Sequence, residues 1–444
     1  MNLLKEDVSK LFYKFLVPAV SGAVAVAAYS LVDCIAIGQG VGANGAAANA
    51  VVLPIFSLAS FIALVFGIGG CVLRSQARGE GNEEKGNAYF TAATVFVSVL
   101  SLLIWILGMI FQEDFYRLCG ADESLMPYVK AYGSLIFAFH PTFVFTTFLS
   151  GYIRADGSPK FVMGVMLFGG ILNVIGDYVF VFPMQMGMTG AALATVLGST
   201  AQAILLIGYI LLKKTTLKFV LPHQWLPALK KIIMVGFGAG VGSLAVIVVT
   251  FIANNQIMKY SGTAALAIYG MLGTVAAVLI SVFSGVGQAA QPIVSENFGA
   301  GNLERCWKAE KLGMRTAVIL GVIFTGQCLV FPLQITALFM QLTAEIEKMA
   351  PYVVRIYGIS FIALSVNTFV IYYLQSIACP KMATMVSLLR GIVLNSIFLF
   401  VFPLFAGENG IWWAILLAEV FTMAAAVGCV TVEYRKYKMH HEIS

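Results

Sequence analysis

Runs of about 20 apolar residues, the length at which a helix crosses about 30 Å of hydrocarbon, follow one another along this chain, separated by short polar joints. Inside hydrocarbon a backbone amide finds no water, so each run must satisfy its own hydrogen bonds by forming a helix. Twelve spans are predicted, at about 11–37, 46–71, 88–111, 127–152, 160–183, 187–212, 229–253, 263–288, 312–334, 350–375, 382–405 and 409–432. Composition agrees: of 444 residues 60% are hydrophobic and 11% charged, and the mean hydropathy is +0.90. No soluble domain covers its surface with so little polar material. The longest joints hold only about a dozen residues, which leaves no room for an extramembrane catalytic or nucleotide-binding domain. The opening MNLLKEDVSK leads into a run too long for a cleaved signal peptide, so the first helix is expected to be retained.

Charge placement sets the expected topology. With the N-terminus cytoplasmic, 22 of the 27 Lys and Arg fall on the cytoplasmic side; the other 5 are Arg117, Lys130, Lys259, Lys348 and Arg355. The positive-inside rule then places both termini in the cytoplasm of a multi-pass plasma-membrane protein. The net charge of +6 reflects that topology, and no nucleic-acid partner is expected. The 7 cysteines include no C-x-x-C pair and read as small membrane-embedded residues, with no disulfide or structural metal. There is no G-x-x-x-x-G-K-[ST], H-E-x-x-H or G-x-S-x-G, so neither direct use of ATP nor enzymatic chemistry is expected. His140, the one histidine within a span, reads as a packed residue beside Pro141.

One residue breaks the apolar pattern. Asp177 stands in ILNVIGDYVFVFP (171–183), and the nearest basic residue in sequence is Lys160. A carboxylate at the centre of a span costs about 2.5–3.5 kcal/mol on insertion scales, so it marks a functional site. Span five ends near Pro183, which sets Asp177 about 9 Å below that end at 1.5 Å per residue. Asp33 lies about 6–8 Å before Gly38 at the same end of span one, at a similar depth. Asn173 is one turn from Asp177 on the same helical face, and Thr195, about 12 Å into span six, reaches the same level. Two carboxylates, an amide oxygen and a hydroxyl form a set of hard donors. They can bind Na⁺, or can hold a proton because adjacent carboxylates in a low-dielectric site resist joint ionisation.

The chain repeats itself at an offset of about 220 residues. SQARGEGNEEKGN (75–87) matches SENFGAGNLERCWK (295–308), and PYVKAYG (127–133) matches PYVVRIYG (351–358). Pro159-Lys160 matches Pro380-Lys381, and LNVIGDYVFVFP (172–183) matches LNSIFLFVFP (394–403). Six spans per repeat is an even number, so both halves enter the membrane in the same sense. The expected fold is therefore an all-α integral membrane protein of twelve transmembrane helices, in two six-helix bundles related by a pseudo-two-fold axis along the membrane normal. The lobes are set at 1–217 and 218–444. Asn395 answers Asn173, but Asp177 falls on Ile397 or Leu399 and Asp33 falls near Thr250, so only the first half keeps the acids. The second half has its own pair, Arg390 in span eleven and Glu419 in span twelve, within reach of one another and open to two readings: a structural ion pair, or a contact for substrate or coupling.

Twelve spans in two sixes, Asp33 in LVDCIAIG, the G-E-G-N and G-A-G-N joints, and N-x-x-x-D in span five together resemble the multidrug and toxic compound extrusion (MATE) family over the whole chain. The resemblance implies a V-shaped pair of lobes and ion-driven export of organic, often cationic compounds. It implies a first-lobe cation site at Asp33, Asn173, Asp177 and Thr195, with Tyr132 as a neighbour, and a bend of span one at Pro18. It adds no cofactor beyond the coupling cation, H⁺ or Na⁺. Spans seven and ten lack the acids that part of the family carries there, which argues against a second ion site. The expected partners are small-molecule drugs or toxic organic cations and the lipid bilayer, for a monomeric antiporter. The nearest rival, a flippase for lipid-linked saccharide precursors, would need several interior Arg and Lys, and apart from Arg390 the spans contain almost no interior basic residues.

Overall fold

A computed structural model describes residues 2–121, 123–212, 214–340 and 342–442, and all its regular elements are helical. They are α1 (Val8–Gly40), α2 (Ala43–Gly79), α3 (Glu83–Ile110), α4 (Gln112–Leu118), α5 (Met126–Ala138), α6 (His140–Ala155), α7 (Pro159–Val181) and α8 (Gly187–Leu211). There follow α9 (Trp225–Tyr260), α10 (Gly262–Gly299), α11 (Leu303–Val330), α12 (Pro332–Phe339), α13 (Ala344–Ser376), α14 (Pro380–Leu388), a π-helical turn (Leu389–Val393) and α15 (Leu394–Glu442).

Ten helices are long and apolar enough to cross a membrane, and α5 with α6, bent by 50° at their junction, make one more. The last apolar run, Pro380–Arg435, has 56 residues, about 84 Å at 1.5 Å per residue and too long for one crossing. Gly407 breaks it with φ 56 and ψ −135. The chain then doubles back: a Cβ at Gly410 would collide with the Phe402 carbonyl oxygen, and Phe398 packs edge-on against Phe421 at 5.7 Å. Twelve spans result. Several helices overrun their predicted limits because a helix continues into the polar layer until a cap stops it. The repeated G-x-G-N joint is such a stop: Gly81 and Gly301 take φ 79 and φ 72, and the Asn82 side chain accepts from the Lys85 amide at 2.9 Å to start α3.

The packing repeats as the sequence does. In the first half α1 packs on α7 and α2 on α3 and α6; in the second, α9 packs on α14 and α10 on α11 and α13. Between halves α1 meets α10 and α2 meets α9, a pairing that a two-fold axis exchanges, and α2 crosses α10 on that axis. The crossing is built from paired glycines. A Cβ at Gly79 would strike the Glu296 carbonyl oxygen, and one at Gly299 the Gln76 carbonyl oxygen. Gly69 and Gly236 do the same for α2 and α9, against Ile232 and Val65. Without a hydrophobic force between helices in lipid, such backbone contact is what holds them together.

Polar contacts between the halves gather on the side that carries both termini. Gln76 Nε2 donates to the Ser376 carbonyl at 2.9 Å, Arg154 donates to Gln288, and Arg78 lies 3.7 Å from Glu296. The same guanidinium reaches Asp156 at 3.5 Å, a carboxylate already paired with the buried Arg74 at 2.8 Å. At the start of α1 the Asp7 carboxylate accepts from the Lys10 and Ser9 amides and pairs with Lys308 of α11; these bonds hold it below the usual carboxylate range. In a Gly236→Ala variant the new methyl must push α2 and α9 apart, a cost of about 1–3 kcal/mol. A thermal melt of the purified protein in detergent should show a clear drop in midpoint. Gly242→Ala, where an added Cβ meets nothing within 4 Å, should melt like the parent.

Candidate functional site: a carboxylate pair in the first half

The expected site residues come from four spans, and small residues let those spans close. On α7 and α8, a Cβ at Gly176 would lie 2.9 Å from that of Ala194, and one at Gly198 would lie 2.6 Å from the Gly169 carbonyl oxygen. On α1, Tyr29 fills the space over Gly170. The approach brings Asn173 Nδ2 to donate to Thr195 Oγ1 at 3.4 Å, and Thr195 Oγ1 to donate to Asp33 Oδ1 at 3.2 Å. Tyr132 of α5 adjoins Thr195 and Asp33, and Asp177 faces Asp33. All five residues thus meet in one pocket.

The pocket is closed and short of donors. Asp177 is 0% exposed, Asn173 2% and Asp33 9%. Asp177 Oδ1 and Oδ2 and Asn173 Oδ1 have no hydrogen-bond partner among the described residues. Nor do the ion pairs found among those residues involve Asp33 or Asp177. Buried acceptors left bare cost about 1–3 kcal/mol each, more when charged. Two facing carboxylates, with two open oxygens on Asp177 and one on Asn173, can hold one positive species, a proton between the acids or a hard cation among carboxylate, amide and hydroxyl oxygens.

Pro18 lies within α1, which runs uninterrupted from Val8 to Gly40. Its ring nitrogen cannot donate, so the turn before it lacks one helical bond. Beside the pocket the sequence reading missed a polar stripe on α8 below Thr195. Ser199 Oγ lies 3.1 Å from Thr142 Oγ1, and Gln202 Nε2 donates to the Met166 carbonyl at 3.2 Å. The spacing of residues 195, 199 and 202 on one helical face was the available signal. His140 is fully buried where α5 bends into α6, and neither ring nitrogen has a hydrogen-bond partner among the described residues.

The second half repeats the frame without the acids. Leu399, one of the two counterparts of Asp177, is buried, and Tyr357 of α13 occupies the place of Tyr132 in the repeated PYV motif. Arg390 and Glu419 do meet, Nε to Oε1 at 3.1 Å. Asn367 of α13, which the sequence reading did not single out, donates to the other Glu419 oxygen at 2.7 Å.

A family model for MatE matches residues 18–179 and 239–401, each segment starting in the first span of a half and ending in its fifth. The chain belongs to the MatE family. Among curated relatives of this MatE protein, "Multidrug export protein MepA" of Staphylococcus saprophyticus is 26% identical over 428 residues, covering 95% of the chain and 93% of the relative. "Probable multidrug resistance protein YoeA" of Bacillus subtilis is 28% identical over 337 residues, covering 73% and 72%. The MatE fold agrees with the solved "MATE in the straight conformation", at TM-score 0.88, 21% identity and coverage of 96% and 95%. It agrees equally with the "outward-facing conformation of a multidrug resistance MATE family transporter of the MOP superfamily", at TM-score 0.88, 20% identity and the same coverage.

In this MatE pocket Thr195 supplies a donor to Asp33. Thr195→Val removes it and should lower stability by about 1–3 kcal/mol, read as the detergent melting midpoint. Thr195→Ser, which keeps the hydroxyl, should restore most of the loss.

Proposed function

We propose that this chain is a secondary active multidrug exporter of the plasma membrane, with both termini cytoplasmic. It exchanges organic, often cationic and amphipathic compounds for H⁺ or Na⁺ by alternating access, and its two lobes, 1–217 and 218–444, rock about the pseudo-two-fold axis. The observation that carries this reading is the buried first-half pocket, where Asp177 and Asn173 hold three open oxygens beside Asp33. A positive species there relieves the bare acceptors, and the pocket has its greatest affinity for that species in the conformation that closes around it. A ligand shifts a conformational equilibrium only by such a difference in affinity. One charge moved through 100 mV supplies about 2.3 kcal/mol, enough for about fifty-fold accumulation of a substrate.

The contacts between halves fit an outward-open state. The glycine crossings and the Arg78–Glu296 and Arg154–Gln288 contacts hold the terminal side together. The acids sit toward the other end of their helices, where an ion arriving from outside meets them first. Asp33, Asp177, Asn173, Thr195 and Tyr132 bind the coupling ion, and Pro18 is the weak point at which α1 yields. The drug-export names of the relatives support the cargo class. The flippase reading finds no support: it calls for several interior basic residues lining the cavity, and apart from Arg390 the spans contain almost none.

Two measurements test the proposal. In proteoliposomes, Asp177→Asn should abolish gradient-driven ethidium transport while the protein remains folded; transport at parental rate would end the coupling role. In melts, saturating the pocket with its own ion should stabilise the parent by about 2.7 kcal/mol at one hundred times the dissociation constant. A Na⁺-coupled protein will show this with added NaCl and not with choline chloride. A proton-coupled one will respond to pH and not to Na⁺, and Asp177→Asn should flatten whichever response the parent gives.

A further inference from the structure

Span eleven is one residue longer than its counterpart in the first half: Pro380 to Asn395 counts one residue more than Pro159 to Asn173. The structure places the extra residue in the π-helical turn Leu389–Val393, whose backbone widens to accommodate it. Arg390 is carried on that turn, and its carbonyl accepts from Asn395 Nδ2 at 2.5 Å. In the facing helix Glu419 stands where the first half has Ser199, and Asn367 where it has Thr146. The older contact survives in both halves: Thr146 donates to the Ser199 carbonyl at 3.2 Å, and Asn367 Nδ2 to the Glu419 carbonyl at 2.9 Å. An ordinary helix-to-helix bond has thus gained a carboxylate, and an inserted residue brings a guanidinium against it.

The arrangement leaves the guanidinium half used. Glu419 accepts from Nε alone, and its other oxygen takes Asn367. Among the described residues neither Nη of Arg390 has a hydrogen-bond or ion-pair partner. Arg390 follows Val386 and Ser387, both buried, on the inward face of its helix, whereas Met385 and Val393 carry the exposed face. The Arg390 side chain stays 18% accessible. Around it stand aromatic rings: Tyr357 lies in the field of both charges and packs edge-on with Tyr269 at 6.4 Å and Phe361 at 5.8 Å.

We infer that Arg390, held by Glu419 and Asn367, is a receptor for the carboxylate of an amphipathic substrate whose aromatic body lies against Tyr357. A purely structural ion pair would engage the planar fork two-pronged, through Nε and Nη together. Here one prong is fixed and the remaining donors have no partner among the described residues, which leaves them for a second, incoming carboxylate. The inference rests on the exporter reading and names one polar contact for its cargo. The two open oxygens of Asp177 and the open donors of Arg390 then give the two halves opposite polarity.

The test compares norfloxacin, a zwitterion, with its ethyl ester, which keeps the ring and amine and lacks the acid. Equilibrium binding to the purified full chain is read from tryptophan fluorescence, and transport of each compound is followed in proteoliposomes. The parent should bind the acid about tenfold more tightly than the ester, the worth of one charge-assisted contact. The charge-balanced double variant Arg390→Gln/Glu419→Gln should bring the ratio to about one, and Arg390→Lys, which keeps charge without the fork, should fall between. A parental ratio of one, or a ratio the double variant leaves unaltered while its melting midpoint falls, overturns the inference. Binding ratios decide it even where neither compound is moved, an outcome that would count against the exporter reading alone.

Discussion

Hydrocarbon offers no hydrogen bonds, and the architecture follows from that lack. Each apolar run is a helix because its amides have no other partner. Helix must meet helix through backbone, since lipid packs against leucine as well as another leucine does, and so glycine occupies the crossings at positions 69, 79, 236 and 299. A polar group in this setting is either satisfied by a neighbouring span or left without a partner. Gln76 and Asn367 are of the first kind. The oxygens of Asp177 are of the second.

One ancestral pattern used twice has therefore diverged where it is polar. The G-x-G-N stops, the paired glycines and the packing partners of α2 and α10 agree between halves because they make the interface itself. A substitution in one half would fail to match its mate across the axis. Interior polar positions face no such mate. The first half carries the buried Asp33–Asp177 pair; the second has no acid at the matching positions and an Arg390–Glu419–Asn367 cluster instead. Scaffolding is held by symmetry, whereas the chemistry within each bundle is free of it.

This division also explains what could be read from the chain beforehand. Span number, the two-fold repeat and the shared depth of Asp33 and Asp177 need only hydropathy and a rise per residue, quantities local in sequence. Helix ends at residues 79 and 299 were misplaced because polar residues such as Glu296 and Asn297 are buried there, against the other half and against the chain start. The Arg74–Asp156–Thr216 cluster escaped notice for a related reason. Its members lie 82 and 142 positions apart, and nothing in the sequence says that a loop threonine returns to an arginine at the end of α2. The bend between α5 and α6 was hidden by continuous hydropathy, although the residue count between matched motifs differs there between halves. Arg390 and Glu419 were visible as charges out of place; the idle half of the guanidinium was not, because it depends on a π-turn that one extra residue creates.

α1 joins these parts mechanically. At one end it carries Asp33 into the pocket formed by α5, α7 and α8. Near its middle, Ala19 and Val20 lie against Gly285 of the other half, where an added Cβ would come within 3.0 Å of the Val20 backbone. At its start, Asp7 is tied to Lys308 and the Leu3 carbonyl accepts from Asn297. Pro18, one residue before the Gly285 contact, removes a helical bond at the point where a displacement of the Asp33 end must either stop or pass to the second lobe. A stiff, fully bonded helix there would transmit small shifts of the pocket as strain on the glycine crossing. A helix missing one bond can instead take them up as a change of angle.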